Sequence, residues 1–436
     1  MLLIGIFSTH GAKEVHAAGE LEMNAKSAIL IDADTGKILY ALEPDLTLPP
    51  ASMTKMMTEY LVLDAIKKKQ ISWKDKVKIS DFVYKISQNK QLSNVPLRKD
   101  AEYTVEELYE AMAIYSANGA TIALAEHIAG SETKFVKKMN EKGKELNLKD
   151  YKFVNSTGLN NRDLKGNHPK GTGANEENML SARATAKLAY QLLNKYPEVL
   201  ETASIPTKTF RKGTNDAIEM LNWNWMLPNI PGYLQAYAYE GVDGLKTGST
   251  ELAGYCFTGT AERDGMRLIS VVMGTDSITK RFEETKKMMD YGFENFEKQE
   301  VFPANYKAKE KSSVAVEKGK EKSVDVVSAK PLAMVMKKGE KKQYSPKVVF
   351  DKLNKDDALV APIKEGQKVG TLTYDYKGKD EYGYITAKGE QAASVDMVTA
   401  SSVEKANWFI LSIRGIGGFF ADIWTSVASS VKGLFS

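Results

Sequence analysis

Cysteine, histidine and long apolar runs are all scarce in this chain of 436 residues. The single cysteine, Cys256, excludes an internal disulfide, but it fits both the cytosol and export from a cell whose secreted proteins lack disulfides. Only four histidines are present, and none lies in a recognisable Ser-His-Asp pattern. No stretch reaches the ~20 uninterrupted apolar residues of a membrane-spanning helix. A disulfide scaffold, a histidine-dependent serine hydrolase and an integral membrane protein are therefore all disfavoured.

An excess of charge of one sign is also missing. The chain has 60 Lys and Arg against 56 Asp and Glu, a net charge of +4, which favours neither nucleic acid nor an acidic partner. Its 43% hydrophobic and 27% charged residues are ordinary for a soluble globular protein. The length exceeds that of one typical domain, so we expect more than one.

The N-terminus resembles part of an export signal. Residues 2–7 form a short apolar run, and Ala17 and Ala18 are small residues suited to cleavage, although no basic segment precedes the run. We predict a signal peptide over residues 1–17 whose true start lies upstream. The alternative is an N-terminal extension without structure.

Residues 24–300 predict an α+β domain. Residues 27–41 read as a β-hairpin, and the spacing of apolar residues after Ser52 predicts a helix that starts at that serine. Further helical patterns follow, and three strand-like runs begin near residue 241, two of them joined by the turn signal Asp264-Gly265. Helices enclosed by N-terminal and C-terminal strands indicate an antiparallel sheet with a helical cluster packed on it.

Two different segments follow. Residues 304–400 are rich in lysine and in short β-like runs, which predicts a small all-β sandwich domain. Residues 403–436 carry an apolar stripe at helical spacing, flanked by Trp408 and Trp424 and interrupted by charged residues. We predict an amphipathic helix that lies on a membrane surface as an anchor. The alternative is a helix packed on the protein's own core or on a partner.

Three short strings carry the chemistry: Ser52-Met53-Thr54-Lys55, Ser116-Ala117-Asn118 and Lys246-Thr247-Gly248. A serine hydroxyl needs a base, and Lys55 shares a helical face with Ser52 at a spacing of three. Burial near other cations would lower the pKa of Lys55 and let it act as that base. Ser116 could relay the proton to the leaving amine, Asn118 could orient Lys55 and the substrate amide, and Lys246 would add positive charge near a substrate carboxylate. This scheme needs no histidine, and we predict neither a cofactor nor a metal site.

The glycine and the backbone around it complete the predicted site. Gly248 has no side chain, which would let a substrate lie along its strand as an added β-strand. The backbone N–H groups of Ser52 and Ser249 would form an oxyanion hole, worth about 3 kcal/mol per donor in other acyl enzymes.

The Ser-x-x-Lys pattern alone has little specificity. It recurs at four other places, which are Ser87-Lys90, Ser131-Lys134, Ser277-Lys280 and Ser402-Lys405. The order, the spacing and the structural setting of the three strings (helix start, loop between helices, sheet strand) favour Ser52.

On these strings the chain resembles the low-molecular-mass (class C) penicillin-binding proteins of the D-alanyl-D-alanine carboxypeptidase family, closest to those of Bacillus-like bacteria. The longer matches include residues 50–58, 114–118, 242–248 and 404–409, and the domain layout also agrees. The resemblance implies a β-lactamase/transpeptidase-like fold and removal of the terminal D-Ala from peptidoglycan pentapeptide stems through an acyl-enzyme on Ser52. It also implies acylation by β-lactams and a location at the outer face of the cell membrane.

The resemblance adds further site residues. Thr247 and Ser249 would bind substrate on the Lys-Thr-Gly strand, and Arg281 matches a family arginine that helps to bind the terminal carboxylate. The alternative for Arg281 is a surface arginine that opens a helix. Ala117 in the middle of the second motif and Ser249 after Gly248 depart from common patterns without removing a catalytic group.

Two rival functions stay open at this point. A β-lactamase would share the nucleophile, but no Glu between Asn118 and Lys246 has an Asn four residues later, as class A enzymes require. The other rival is a non-catalytic wall-binding or β-lactam-binding protein, in which Ser52 is acylated but not turned over.

Overall fold

The computed structural model describes residues 21–378, 382–386 and 393–407. The signal peptide predicted over residues 1–17 lies outside these residues. The described chain divides into two compact units. The first contains residues 21–33, 38–294 and 382, and the second contains residues 34–37, 295–378, 383–386 and 393–407.

A five-stranded antiparallel sheet organises the first unit. Its strands are β1 (Ser27–Asp32), β2 (Ile38–Leu42), β10 (Val242–Thr250), β11 (Gly254–Arg263) and β12 (Met266–Thr275). Their order across the sheet is β10-β11-β12-β1-β2. The predicted hairpin and the three predicted later strands are confirmed. The turn between β11 and β12 places Asp264 and Gly265 at φ 50° and 72°, the left-handed conformation that the Asp-Gly pair favours.

The other elements of the first unit are short strands and a cluster of helices. The strands are β3 (Thr47–Leu48), β4 (Lys76–Val77), β5 (Tyr103–Thr104), β6 (Tyr151–Lys152), β7 (Met179–Ser181), β8 (Thr207–Phe210) and β9 (Ile218–Leu221). They form three small sheets, β3-β7-β6, β4-β5 and β8-β9. The helices are α1 (Lys55–Lys67), α2 (Asp81–Ser87), α3 (Val105–Tyr115), α4 (Asn118–Ala129), α5 (Glu132–Glu145), α6 (Ala182–Lys195), α7 (Val199–Ala203) and α8 (Lys280–Asn295).

Side chains cap the starts of several helices, and α1 is buried along most of its length. Thr104 and Glu107 form a capping box at the start of α3, and the Ser181 hydroxyl accepts from the Ala184 N–H at the start of α6. Every residue of α1 from Lys55 to Ala65 is buried, so the helix has no solvent face along most of its length. A charged side chain on this stretch is therefore removed from water.

Strands make up almost all of the second unit. They are β13 (Phe296–Phe302), β14 (Ser313–Glu317), β15 (Ser323–Ser328), β16 (Leu332–Lys337), β17 (Tyr344–Phe350), β18 (Ala358–Val360), β19 (Lys368–Tyr376) and β20 (Val395–Thr399). One sheet pairs β13 with β16, and the other has the order β17-β19-β20-β15-β14-β18. Apolar residues from both sheets form one core, in which Val326, Val369 and Leu372 are fully buried. The short β14–β18 pair is parallel, and every other strand pair of this unit is antiparallel.

The two ends of the second unit differ from the sequence prediction. The expected change of domain between residues 300 and 304 lies earlier, because residues 296–302 form β13 and pair with β16. The helix predicted over residues 403–436 is absent from residues 403–407, which make extended bridges such as Val403 with Ile363. The rest of that prediction, residues 408–436, lies outside the described residues. No helix within the described ranges is long and apolar enough to cross a membrane.

Candidate active site

Ser52 lies in a tight turn at the entrance to α1. The turn is a 3-10 helix, Ala51–Thr54, and α1 begins at Lys55, so the predicted helix start is correct to within one turn. Ala51, just before the serine, has φ 48°, a conformation that costs a non-glycine residue free energy and is common beside catalytic groups. A Cβ on Gly158 would lie 1.9 Å from the Ala51 carbonyl oxygen. Only glycine at position 158 therefore lets this loop pack against the turn.

Lys55 is fully buried, and its amine lies at the centre of the site. Its Nζ is 2.9 Å from Ser52 Oγ, 2.9 Å from Asn118 Oδ1 and 2.7 Å from the Thr157 carbonyl oxygen. The two carbonyl-type oxygens can only accept hydrogen bonds. A neutral amine that donates its two protons to them directs its lone pair at the Ser52 hydroxyl.

The second motif lies between α3 and α4. Ser116 ends α3 in the left-handed conformation, with φ 59°, and Asn118 is the first residue of α4. The Asn118 side chain donates to the Ser93 carbonyl at 3.0 Å, and its backbone N–H donates to the same oxygen at 2.9 Å. This double anchor fixes the amide so that Oδ1 faces Lys55.

A loop with many asparagine side chains presents the Thr157 carbonyl. Asn155 Oδ1 accepts from the backbone N–H groups of Thr157 and Gly158, and Asn178 Oδ1 accepts from the N–H of Asn155. Glu132, a buried carboxylate on α5, accepts from the backbone N–H and the hydroxyl of Ser156. The loop therefore holds an acceptor for Lys55 that comes from 102 residues away in the sequence.

The third motif lies on β10, an edge strand of the central sheet. Lys246 and Thr247 are buried, Ser249 is exposed, and Lys246 Nζ donates to the Thr247 carbonyl at 3.1 Å. The structure gives a further reason for glycine at position 248, beside the room for substrate expected from the sequence. A Cβ there would lie 2.4 Å from the Pro50 carbonyl oxygen and 3.1 Å from the Ser52 nitrogen, so Gly248 lets β10 approach the serine turn itself.

Arg281 lies near the start of α8 and reaches the same strand. It is 2% exposed, and its Nη1 donates to the Gly248 carbonyl at 3.4 Å. Its Nε has no hydrogen-bond partner, and no carboxylate pairs with it in the part of the chain that the structure describes. The surface position considered as an alternative is therefore wrong. A buried guanidinium with a free donor is suited to an incoming anion.

Burial and like charges set the electrostatics of the two lysines. Burial, and then the charge of Lys246, hold the pKa of Lys55 well below its ordinary value, in agreement with the sequence expectation. Burial lowers the pKa of Lys246 to about 8, while Glu59 on α1 opposes this shift. Burial lowers the pKa of Arg281 to about 10. The site therefore combines a lysine that readily gives up its proton with two groups that stay cationic near neutral pH.

The hydroxyl contacts separate Ser52 from the four other serines in Ser-x-x-Lys strings. Ser52 is the one whose hydroxyl contacts the amine of its lysine. The other four hydroxyl groups are used in helix caps and loops. They accept from the backbone N–H groups of Leu97 (Ser87), Lys134 (Ser131), Lys280 (Ser277) and Glu365 (Ser402).

Sequence reasoning missed three contributors to this site. Thr157 acts through its carbonyl and Ser93 through its carbonyl, and no sequence pattern marks a backbone acceptor. Glu59 had a visible signal, because it is an acidic residue in the apolar run after Lys55, one helical turn further on. Among the described residues, no group of three or more His, Cys, Asp or Glu could hold a metal ion.

Comparison with known proteins gives consistent matches. The peptidase S11 family, described as D-alanyl-D-alanine carboxypeptidase, matches residues 12–277, and the family described as the C-terminal domain of penicillin-binding protein 5 matches residues 296–405. The D-alanyl-D-alanine carboxypeptidase DacF of Bacillus subtilis is 35% identical over 408 residues, which cover 92% of this chain and 95% of that protein.

Solved structures agree in fold. The peptidoglycan synthesis regulatory factor PBP3 of Streptococcus pneumoniae is 37% identical with a TM-score of 0.76, covering 88% of this chain and all of that one. Penicillin-binding protein D2 of Listeria monocytogenes, solved with bound ampicillin, is 33% identical with a TM-score of 0.51, covering 63% of this chain and 99% of that one.

Proposed function

The chain belongs to the peptidase S11 family of D-alanyl-D-alanine carboxypeptidases, and from this premise we propose how its residues share the work. The family removes the terminal D-Ala from peptidoglycan stems and binds β-lactams, so this protein is a serine-type D-alanyl-D-alanine carboxypeptidase. The observation that carries the assignment of roles is the Lys55 amine, held between Ser52 Oγ and two acceptors.

The first step is acylation of Ser52. Its Oγ attacks the carbonyl carbon of the penultimate D-Ala while the Lys55 lone pair takes the hydroxyl proton. Asn118 and Thr157 keep the other two amine protons occupied, which fixes the direction of the lone pair. The C–N bond then breaks, and the proton passes through Ser116 to the leaving amine of D-Ala. Water, activated by the same lysine, hydrolyses the acyl-enzyme and restores Ser52.

Backbone donors stabilise the developing oxyanion. The Ser52 and Ser249 N–H groups supply the two hydrogen bonds, and the close approach of Gly248 to the Ser52 turn supports this pairing. Each donor is worth about 3 kcal/mol in comparable acyl enzymes.

The cationic groups and Thr247 bind the terminal carboxylate of the substrate. Lys246 and Arg281 provide charge that no carboxylate of the described chain neutralises by direct contact, and the free Arg281 Nε supports a role as anion partner. The substrate backbone lies along the free edge of β10. A β-lactam, whose carboxylate and strained amide imitate the D-Ala-D-Ala end, uses the same contacts.

The protein acts outside the cytoplasm, at the outer face of the membrane. The apolar stripe over residues 409–434 and the export-like N-terminus support this location. The full chain should sediment with anionic lipid vesicles, whereas a variant that ends at residue 407 should stay in the supernatant with its D-Ala release unchanged. Equal sedimentation of the two proteins would contradict the anchor.

D-Ala release from a pentapeptide that ends in D-Ala-D-Ala tests the catalytic assignment. We expect release by the wild type and a loss of about 10³-fold or more in Ser52→Ala, with Ser131→Ala as a matched control that keeps activity. Mass spectrometry of the penicillin adduct should place the acyl group on Ser52. Stable labelling without D-Ala release would favour the non-catalytic binding protein, and rapid penicillin turnover would favour the β-lactamase.

A further inference from the structure

Glu132, the first residue of α5, is a buried carboxylate that the mechanism above does not use. It is 5% exposed, and its Oε1 accepts from the Ser156 backbone N–H at 2.9 Å and from the Ser156 hydroxyl at 2.6 Å. Its Oε2 has no hydrogen-bond partner among the described residues. Burial raises the pKa of the carboxyl group, and the two Ser156 hydrogen bonds oppose this shift. A carboxylate buried in this way is costly to the fold, which indicates a role beyond packing.

Thr58 holds the same serine from a second helix. Its hydroxyl lies on α1, three residues after Lys55, and donates to the Ser156 carbonyl at 2.8 Å. The side chains of Thr58 and Ser156 are fully buried. Both backbone polar groups of Ser156 are therefore bonded to side chains, the N–H to Glu132 on α5 and the carbonyl to Thr58 on α1.

The next residue connects this arrangement to the proposed base. The Thr157 carbonyl accepts from Lys55 Nζ at 2.7 Å. The peptide bond between Ser156 and Thr157 is planar, so a displacement of Ser156 also displaces Thr157. Because Lys55 and Thr58 are three residues apart on one helix, they share a face of α1. One helix thus supplies both the amine and a hydroxyl that aligns the acceptor of that amine.

We propose that Glu132 and Thr58 are positioning residues for catalysis, which hold Ser156 so that the Thr157 carbonyl stays within hydrogen-bond distance of the Lys55 amine. Through this acceptor they keep the lone pair of Lys55 directed at the Ser52 hydroxyl. Their side chains bond to Ser156 and act on Lys55 only through the Thr157 carbonyl. This inference rests on the proposed role of Lys55 as the base.

Rapid-mixing kinetics with a fluorescent penicillin test the proposal, because they separate the Kd of the penicillin, the rate constant of acylation and the labelled fraction. Glu132→Met is similar in size but has no acceptor, so we expect its rate constant to fall by about 10- to 100-fold, as for a slightly displaced catalytic group. Glu132→Gln keeps an oxygen that can accept both bonds, and its rate constant should fall by less than about threefold. The Kd should not change, because the proposed carboxylate-binding residues Lys246 and Arg281 belong to β10 and α8.

Two outcomes of this experiment would overturn the proposal. A smaller labelled fraction that reacts at the wild-type rate would show that Glu132 has a merely structural role. A loss of rate in Glu132→Gln as large as that in Glu132→Met would show that the accepted hydrogen bonds are not what matters.

Substitutions of Thr58 test the second contact. Thr58→Val removes the hydroxyl at nearly constant shape and should also slow acylation, whereas Thr58→Ser keeps the donor and should retain most of the rate. In the double variant Thr58→Val/Glu132→Met, the loss should be smaller than the product of the two single losses, because both residues act through Ser156. Losses that multiply would contradict this shared action.

Asn140 supplies a matched control on α5. Its side chain makes a similar double contact with the chain at Phe153, donating to the carbonyl at 2.8 Å and accepting from the N–H at 3.1 Å. Asn140→Leu should lower thermal stability and leave the rate constant unchanged, and a loss equal to that of Glu132→Met would overturn the proposal.

Hydrogen exchange separates a failure of this inference from a failure of the proposed function. If the wild type is not acylated at all, the proposed function fails. Exchange in peptides that cover residues 155–158 then decides whether Glu132 holds the loop. Faster exchange in Glu132→Met than in the wild type would support this, and unchanged exchange would overturn it.

Discussion

The two units of this protein differ in how many charged side chains they bury and in how these side chains are grouped. The first unit buries Lys55, Glu59, Lys246 and Arg281 around one serine. Among the described residues of the second unit, the one buried charged side chain is Lys37, which donates to the Tyr344 hydroxyl at 2.9 Å, and the other buried polar side chains are the hydroxyls of Thr35, Ser328 and Thr399. Ion pairs of that unit, such as Lys347 with Asp375, are exposed. Buried charge opposes folding, so its concentration in one unit indicates that it is retained there for chemistry.

The sharpest test of this contrast uses two glycines with equally tight surroundings. A Cβ on Gly248 would lie 2.4 Å from the Pro50 carbonyl oxygen, and one on Gly370 would lie 2.3 Å from that of Val349. We expect Gly248→Ala to slow penicillin acylation by about 100-fold or more, because it displaces the Ser52 turn and the oxyanion donors. Gly370→Ala should destabilise the second unit, as peptide-resolved hydrogen exchange would show, and leave the acylation rate unchanged.

A charge-preserving substitution at Lys246 should change the pH dependence of acylation. The pKa of Lys246 is lowered to about 8, so acylation should decline above that pH as the cation is lost. In Lys246→Arg the guanidinium stays protonated, and the decline should move up by at least about 1 pH unit even if the maximal rate falls. If the acylation rate of this variant declines at the same pH as that of the wild type, the decline is due to the titration of another group.

Stability should depend on pH more strongly in the first unit than in the second. Burial raises the pKa of Glu59 from 4.5 to about 7, so its folded form binds the extra proton and stability falls as pH rises across that range. Burial lowers the pKa of Lys246 from 10.5 to about 8, so the unfolded chain binds the extra proton and stability rises from about pH 8 to 10.5. The stability against opening, measured by hydrogen exchange over this pH range, should be lowest near pH 7–8 in peptides of α1 and β10. An equal minimum in peptides of the second unit would remove the contrast.

The smallest effect is expected at an exposed ion pair of the second unit. Lys347 Nζ lies 3.0 Å from Asp375 Oδ1, with both side chains more than half exposed. Solvent and salt screen such a pair, so Lys347→Ala should change the free energy of unfolding by less than about 0.5 kcal/mol in urea titration. A loss above about 1 kcal/mol would mean that charge matters to this unit as well.

Much of the fold follows from local patterns that the sequence shows directly. The β1–β2 hairpin, the Asp264-Gly265 turn and the helices beside Ser116 were predictable because turn residues and apolar periodicity act over a few residues. The end of the first unit was not, because Phe296 continues the helical spacing of the apolar residues of α8, and residues 296–302 become a strand only through pairing with β16. Strand pairing over such distances leaves no local signal.

The residues of the candidate site also fall into those that local sequence patterns predict and those that depend on distant segments. Ser52, Lys55, Ser116, Asn118 and Lys246 could be named because their spacing is a local property of the chain. The Thr157 carbonyl, the close approach of Gly248 to the Pro50 carbonyl and the burial of Arg281 could not, because each depends on which distant segment packs against the motif. Glu59 lies between these cases, since its helical offset from Lys55 is local while its electrostatic interaction with Lys246 on β10 is not.

The sequence by itself therefore determined the proposed nucleophile, its proposed base and the order of the motifs, because the spacing within each string and the local setting of each string are properties of short segments of the chain. Only the tertiary structure decided that Lys55 loses its proton readily. That property comes from the exclusion of water around α1, from Lys246 on a strand almost two hundred residues away, and from acceptors contributed by two other segments. Burial and electrostatics depend on the whole packed unit, and no short string of residues encodes them.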